Sequence, residues 1–255
     1  MLVRRREGDT VRHAPDEVIV EEPMEIRLDD VTVTTTMRTP GHDYELAAGF
    51  CFTEGLLHGV PVTGVRYCAT GPASESEFNV VTVETAGRAP VPTPRLGVTT
   101  SSCGLCGSAS LDALRTRLTP LTGLVEFDVE VFATVTVAVR AAQGLFDATG
   151  GVHAAAAFDA TGAVTVVRED IGRHNAVDKV IGHLLLDSRL PASSLGLFVS
   201  GRASFEIVQK AWAAGFAAVV AVSAPSSLAV QAARAAGLTL AGFAREGRLN
   251  IYAPV

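Results

Sequence analysis

Two stretches of this sequence carry residue types that do chemistry. In Ser101-Ser102-Cys103-Gly104-Leu105-Cys106-Gly107 two thiols stand three positions apart. Gly104 and Gly107 allow close backbone approach to a ligand or left-handed angles. Leu111, Leu114 and Leu118 follow at spacings of three and four and predict a helix over 108–118. A helix N-terminus stabilises a thiolate through its dipole and free N–H groups, which suits Cys103 and Cys106 to nucleophilic or sulfur-accepting roles. The pair also reads as redox, as half a metal site, or as two small core residues. No second Cys-x-x-Cys occurs, and His42, His58, His153 and His174 do not stand at ligand spacing from it, so a complete local zinc motif is absent. Cys51 and Cys68, each alone in an apolar segment, read as packed thiols.

The second stretch, Arg168-Glu169-Asp170-Ile171-Gly172-Arg173-His174-Asn175-Ala176-Val177-Asp178-Lys179, joins an apolar strand pattern to an apolar helix pattern. Polar residues at such a junction serve a ligand when the helix N-terminus offers its N–H groups to an anion. The competing reading is a capped helix, with Asp170 as N-cap and His174 paired to Asp178 one turn on. Two more junctions share the layout, Ser200-Gly201-Arg202 and Ser223-Ala224-Pro225-Ser226, and Phe243-Ala244-Arg245-Glu246-Gly247-Arg248 follows the last long strand. In a parallel sheet the strand C-termini share one edge, where ligands bind. Arg173, Arg202, Arg245 and Arg248 would then surround one anionic ligand, and guanidinium forks suit phosphate. Neither a Walker loop nor a GxGxxG fingerprint is present. Thr149-Gly150-Gly151-Val152-His153 supplies a further polar contact or an ordinary packed histidine.

The elements around these stretches follow from periodicity. Alternation over 17–36 predicts strands, and Thr39-Pro40-Gly41-His42-Asp43 a turn into a short buried helix ending near Gly55. Strand patterns follow at 62–69 and 78–83. Pro90, Pro92 and Pro94 at alternate positions prevent regular pairing. We place a domain boundary there, giving a smaller β-rich unit over 1–95 and an α/β unit over 96–255 that the Cys loop precedes. Residues 127–143 are ambiguous: Val131, Val135 and Val139 have helical spacing, but the β-branched run favours a strand. Beyond it, a hairpin over 152–167 precedes helices at 173–186, 203–214 and 226–236. These alternate with strands at 195–199, 216–222 and 238–243, and 249–252 follows the last of them. The alternation suggests a mostly parallel sheet with a hairpin at one side.

Of 255 residues 48% are hydrophobic and 19% charged, ample for a core and against disorder. The net charge of −6 disfavours non-specific binding to nucleic acid or anionic membranes, while permitting a local basic pocket. Arg4, Arg5 and Arg6 are followed by polar residues rather than an apolar run, so no secretory signal is read, and the apolar run at 216–222 is too short to span a bilayer. We expect a soluble, cytoplasmic protein.

The whole set of motifs resembles the FdhD family of sulfur carrier proteins required for formate dehydrogenase activity. The resemblance rests on Thr39-Pro-Gly-His-Asp, Glu45-Leu-Ala-Ala-Gly-Phe, Ser102-Cys-Gly-Leu-Cys-Gly, Thr149-Gly-Gly-Val-His-Ala and Glu169 to Lys179, in order along nearly the whole chain. Ser200-Gly-Arg, Ser223-Ala-Pro-Ser and Phe243-Ala-Arg complete it. It implies a sulfurtransferase that takes persulfide sulfur from a cysteine desulfurase. The sulfur passes to a bis-molybdopterin guanine dinucleotide cofactor carrying molybdenum or tungsten, destined for formate dehydrogenase. Cys103 would bear the persulfide, with Cys106 as companion. Phe243, Ala244, Arg245, Glu246, Gly247 and Arg248 would bind the cofactor, joined by Arg173, His174, Arg202 and Ser223. Guanine nucleotide would be a partial mimic, and a homodimer is the expected assembly. The resemblance also implies a three-layer C-terminal domain similar to cytidine deaminase. That enzyme's catalytic Glu and zinc cysteines are missing at the matching helix starts, Arg173-His174-Asn175-Ala176 and Ser200-Gly201-Arg202-Ala203, so zinc-dependent deamination is not expected. The alternatives are a non-catalytic cofactor-binding chaperone and a dithiol or metal-binding protein.

Overall fold

Residues at alternate positions along the strands sort the chain into faces. The structure, a computed structural model, describes residues 1–67, 79–92, 107–245 and 247–254. Cys103 and Cys106, the strand pattern at 68–69, the boundary placed at 95 and Glu246 lie outside the described residues.

The N-terminal half begins with a hairpin of β1 (Leu2–Glu7) and β2 (Thr10–Pro15) that the sequence pattern does not announce. A four-stranded sheet follows, built from β3 (Glu22–Leu28), β4 (Val31–Arg38), β5 (Gly64–Tyr67) and β6 (Val80–Glu84) in the order β4-β3-β6-β5. Strand structure starts at Glu22, so the alternation over 17–21 forms no strand. Met24, Ile26, Leu28, Val81 and Val83 point to one face and pack under Leu46 and Phe50 of α1 (Asp43–Thr53).

The C-terminal half is a three-layer α/β arrangement. Its sheet contains β7 (His153–Phe158), β8 (Val164–Asp170), β9 (Gly196–Val199), β10 (Ala218–Ala221), β11 (Thr239–Arg245) and β12 (Arg248–Ala253), ordered β12-β11-β10-β9-β7-β8. Only β9, β10 and β11 run parallel; the hairpin β7–β8 and the return strand β12 are antiparallel, so the sheet is mixed rather than mostly parallel. Ala155, Ala157, Leu197, Val199, Val219 and Ala221 face α5 (Arg173–Leu186), α6 (Phe205–Ala214) and α7 (Ser227–Ala236). α2 (Gly107–Arg117) joins this face through Leu111 and Leu114. Ala154, Ala156, Phe198, Ala218, Val220 and Ala241 face the other way, onto α3 (Val129–Ala141), with α4 (Gly144–Thr149) following it. Period-two alternation on both sides is what a fully covered sheet requires.

The helix α3 corrects the strand reading of 127–143. Its seven Val and Thr residues cost about 0.5 kcal/mol each relative to good helix formers. Phe132, Val135 and Val139 are buried against the sheet, at about 1.5–3 kcal/mol each, and this outweighs the propensity. The Asp128 side chain accepts a hydrogen bond from Glu130 N at 3.1 Å and caps the first turn.

The two halves meet where α1 crosses α5. A Cβ on Gly49 would lie 1.9 Å from the Asp178 carbonyl oxygen, and one on Gly182 would lie 1.8 Å from that of Glu45. Backbone stands against backbone, so no side chain can yield. Gly49→Ala and Gly182→Ala should each lose at least about 2 kcal/mol in chemical denaturation, because the helices must separate. Gly144→Ala, with nothing within 4 Å of its added Cβ, should stay within about 0.5 kcal/mol of the parent.

Candidate functional site

The parallel strands β9, β10 and β11 end at one edge, and the antiparallel β7 begins there. His153 therefore lies beside the end of β8 and close to Gly201. A Cβ on Gly201 would sit 3.4 Å from Arg173 Cδ and 3.5 Å from the His153 ring, so the glycine leaves room for both side chains to converge. Ser200 Oγ accepts from Ala154 N at 2.9 Å and lies 3.4 Å from His153 Nδ1. Burial holds His153 below the ordinary imidazole range, and the positive charges of Arg173 and Arg202 lower it further. The same causes act on Arg173: burial first, then the Arg202 guanidinium.

A cavity of about 990 Å³ opens at this edge. Its walls include Phe146 from α4, Phe198 from β9, His153, Ser200, Ala244 and Arg245. The hairpin β11–β12 brings Arg248 opposite Arg245. Phe243 carries φ +53 within the register shift from Gly242 to Arg245, and its N–H donates to Ser223 O at 3.2 Å. Thus His153, Arg173 and Arg202 come together, and Ala244 and Arg245 line the cavity. Arg173, Arg202, Ser223, Phe243, Gly247 and Arg248 are not among the cavity's described lining.

His174 departs from the expected site. Its Nε2 lies 3.3 Å from Ser204 Oγ and 3.9 Å from Glu206, facing α6. Asp178, the expected partner of His174, instead receives Lys210 Nζ at 2.9 Å on both oxygens and Thr53 Oγ1 at 2.8 Å. Asp170 is not the N-cap, which is Gly172. Its two oxygens accept from Thr39 N, Gly172 N and Asn175 Nδ2 and meet Lys179 Nζ at 2.8 Å. Lys179 also donates to the carbonyls of Thr39 and Glu169. Arg168 is bound to Glu45 of α1. The charged string is therefore mainly internal scaffolding, and Arg173 is the residue of it that joins the cationic cluster.

Glu169 shapes the cavity indirectly. Its carboxylate accepts from Leu145 N and Phe146 N, each at 2.9 Å, which fixes the first turn of α4. Arg140 stacks on the Phe146 ring at 4.8 Å and pairs with Asp147. Sequence reasoning misses Arg140 and Gln143 because the β-branched run over 127–143 favours a strand, whereas the helical spacing of Val131, Val135 and Val139 is the signal that places them; Phe146, in α4 beyond that run, leaves no such signal.

Among the described residues no group of three His, Cys, Asp or Glu is arranged to hold a metal ion, and no helix is long and apolar enough to cross a membrane. Cys51 is fully buried, as expected of a packed thiol, and burial pushes its pKa up.

A family model of the FdhD/NarQ family matches residues 19–255. The chain belongs to the FdhD/NarQ family. It is 49% identical to the sulfur carrier protein FdhD of Mycolicibacterium paratuberculosis, over 93% of this chain and 90% of that one. It is 48% identical to the protein of the same name from Streptomyces avermitilis, over 99% and 92%. A crystal structure of a candidate formate dehydrogenase accessory protein from Desulfotalea psychrophila shares the fold, with a TM-score of 0.76, 23% identity, and coverage of 100% of this chain and 96% of that one. The mixed sheet of this FdhD/NarQ member thus belongs to a fold already seen in a solved structure.

The burial of His174 has a measurable consequence. Desolvation, reinforced by Arg173 and Lys210 and opposed by Glu206 and Glu54, brings its pKa down to about 4. The unfolded chain binds a proton at about 6.5 that the folded chain refuses. Stability therefore rises with pH between about 4 and 6.5 and is lost as pH falls through that window. His174→Gln should flatten the dependence, removing up to about 1.4 kcal/mol per pH unit from the slope of unfolding free energy measured between pH 7 and pH 5.

Proposed function

We propose that this chain is a sulfur carrier that accepts persulfide sulfur on Cys103 and delivers it to a guanylated molybdenum or tungsten cofactor. The observation that carries the reading is the coexistence of two features in one FdhD/NarQ chain: the Ser102-Cys103-Gly104-Leu105-Cys106-Gly107 motif, and a nucleotide-sized cavity at a cationic sheet edge. Relatives named sulfur carrier protein FdhD support the first feature. The cavity falls within the roughly 300–1,000 Å³ usual for small-molecule sites. Its Phe146 and Phe198 offer apolar faces to a heterocycle, and the nearby Arg173, Arg202 and Arg245 suit phosphate oxygens.

In this scheme the Cys103 thiolate attacks the outer sulfur of a desulfurase persulfide. The desulfurase cysteine leaves as a thiolate, and Cys103 holds the sulfane sulfur. Cys106 then attacks Cys103 Sγ, hydrosulfide leaves toward the cofactor's metal, and a Cys103–Cys106 disulfide forms. A thiol reductant resets the pair. On the binding side, neutral His153 with the Ser200 hydroxyl supplies hydrogen bonds without charge, and Arg173 and Arg202 supply the charge.

Incubation with a cysteine desulfurase and cysteine should add one sulfur atom to the protein by mass spectrometry, removable by dithiothreitol. Cys103→Ala should abolish both the adduct and support of formate dehydrogenase; full activity of that variant would refute the assignment. Arg173→Ala combined with Arg202→Ala should leave the adduct intact and weaken GDP binding by at least about tenfold, the loss expected for a charge-assisted contact.

A further inference from the structure

The corner between α3 and α4 holds a polar group with no internal role. Gln143 is 4% exposed and lines the cavity. Its backbone is engaged: its N–H donates to Arg140 O, and its carbonyl accepts from Asp147 N. Its side-chain carboxamide makes no hydrogen bond to any described residue, and neither amide atom is sealed off from the cavity. Buried polar groups are nearly always paired, so one left over in a cavity wall marks a place where a ligand completes the pairing. The position is also fixed. Glu169 holds the first turn of α4 through Leu145 N and Phe146 N, and the Phe146 ring lies on the same wall.

A carboxamide presents one acceptor and one donor side by side. A heterocycle with a ring N–H next to a carbonyl meets it with two parallel hydrogen bonds. The 2-amino-4-oxopyrimidine ring has that edge, and guanine and pterin both contain it. Resting on the cavity's assignment to a guanylated ligand, we infer that Gln143 reads the 2-amino-4-oxopyrimidine edge of that ligand. It acts from the apolar wall while Arg173 and Arg202 hold phosphate near the other. The carboxamide turns over to pair with adenine too, so Gln143 alone selects for a nucleobase edge rather than for guanine against adenine. A carboxylate at this position accepts from both the ring N–H and the 2-amino group of guanine, and repels the ring nitrogen lone pair of adenine.

The test is calorimetric titration of the full chain with GDP, ADP, neopterin and inorganic pyrophosphate. Gln143→Leu, close in volume and apolar, should weaken GDP by about ten- to a hundredfold, the range for a ligand polar group left without its buried partner. It should leave pyrophosphate unchanged, which a collapsed cavity would not do. Gln143→Glu should keep GDP binding and raise its preference over ADP by at least about tenfold. A matching loss of neopterin in Gln143→Leu would mean that the ligand's pterin uses the edge as well; unchanged neopterin would assign it to guanine. GDP binding by Gln143→Leu equal to the parent, or equal GDP and ADP binding by Gln143→Glu, overturns the role of Gln143 alone. Failure of the parent to bind GDP, neopterin and pyrophosphate overturns the cavity's assignment with it.

Discussion

A carboxylate with no exposure, Asp170 at the end of β8, sets the geometry on which both halves depend. Removing such a charge from water costs several kcal/mol unless every lone pair is met. Here Oδ1 accepts from Gly172 N and Asn175 Nδ2, and Oδ2 meets Thr39 N and Lys179 Nζ. The ammonium of Lys179 is satisfied in turn by two backbone carbonyls. One ion pair thereby locks three pieces of backbone: the segment after β4, the end of β8 and the start of α5. Ile171 N donating to Thr39 Oγ1 and Asn175 Nδ2 donating to Met37 O close the same junction. With these fixed, the next side chains along β8 and α5 have little freedom. Glu169 reaches α4, and Arg173 reaches the sheet edge.

The crossing of α1 and α5 extends that lock. Backbone contact at Gly49 and Gly182 brings Asp178 under α1, where Thr53 and Lys210 meet it. Burial pushes Asp178 up, while the ammonium of Lys210 opposes the shift; burial pulls Lys210 down, but the carboxylates of Asp178 and Glu54 together hold it above the ordinary lysine range. Deleting either partner would strand the other charge in the core, which is far costlier than the pair's net contribution. The mostly buried Arg168–Glu45 pair ties α1 to the neighbouring strand β8.

Much of this was legible in the sequence. The hairpin over 152–167, the helix at 173–186 and the last two strand-helix alternations are set by local period and turn chemistry, and they fold as read. The convergence of Arg173 with Arg202, and Arg245 on the cavity wall, followed from placing strand ends on one edge. What stayed hidden was tertiary. The spacing from Glu169 to Lys179 looks equally suited to a ligand or to a scaffold, because charge in sequence does not say whether its partner is a neighbouring helix. α3 was misread because β-branched residues dislike helices by a few tenths of a kcal/mol each, whereas the sheet face that rewards burying Phe132, Val135 and Val139 is made by strands far along the chain. The β1–β2 hairpin has mostly exposed side chains, so its alternation leaves almost no hydrophobic trace.

The scaffold also explains how an acidic chain maintains a cationic edge. Its formal charge is −6, and the buried carboxylates Asp170 and Asp178 are spent on Lys179 and Lys210 inside the fold. Glu206, held low by its own backbone N–H, Ser204, His174 and Arg173 against the cost of burial, is the acidic group that tempers Arg173. Arg202 faces His153 and Arg173 from the next strand end, and both respond by losing affinity for protons. Like charges gathered in this way raise the local potential without raising the global one. Under the proposed function this local potential draws a small anion to one edge of a chain whose net charge is negative. Under the same proposal, the apolar wall from Phe146 to Phe198 favours an anion that carries an aromatic ring over one that does not.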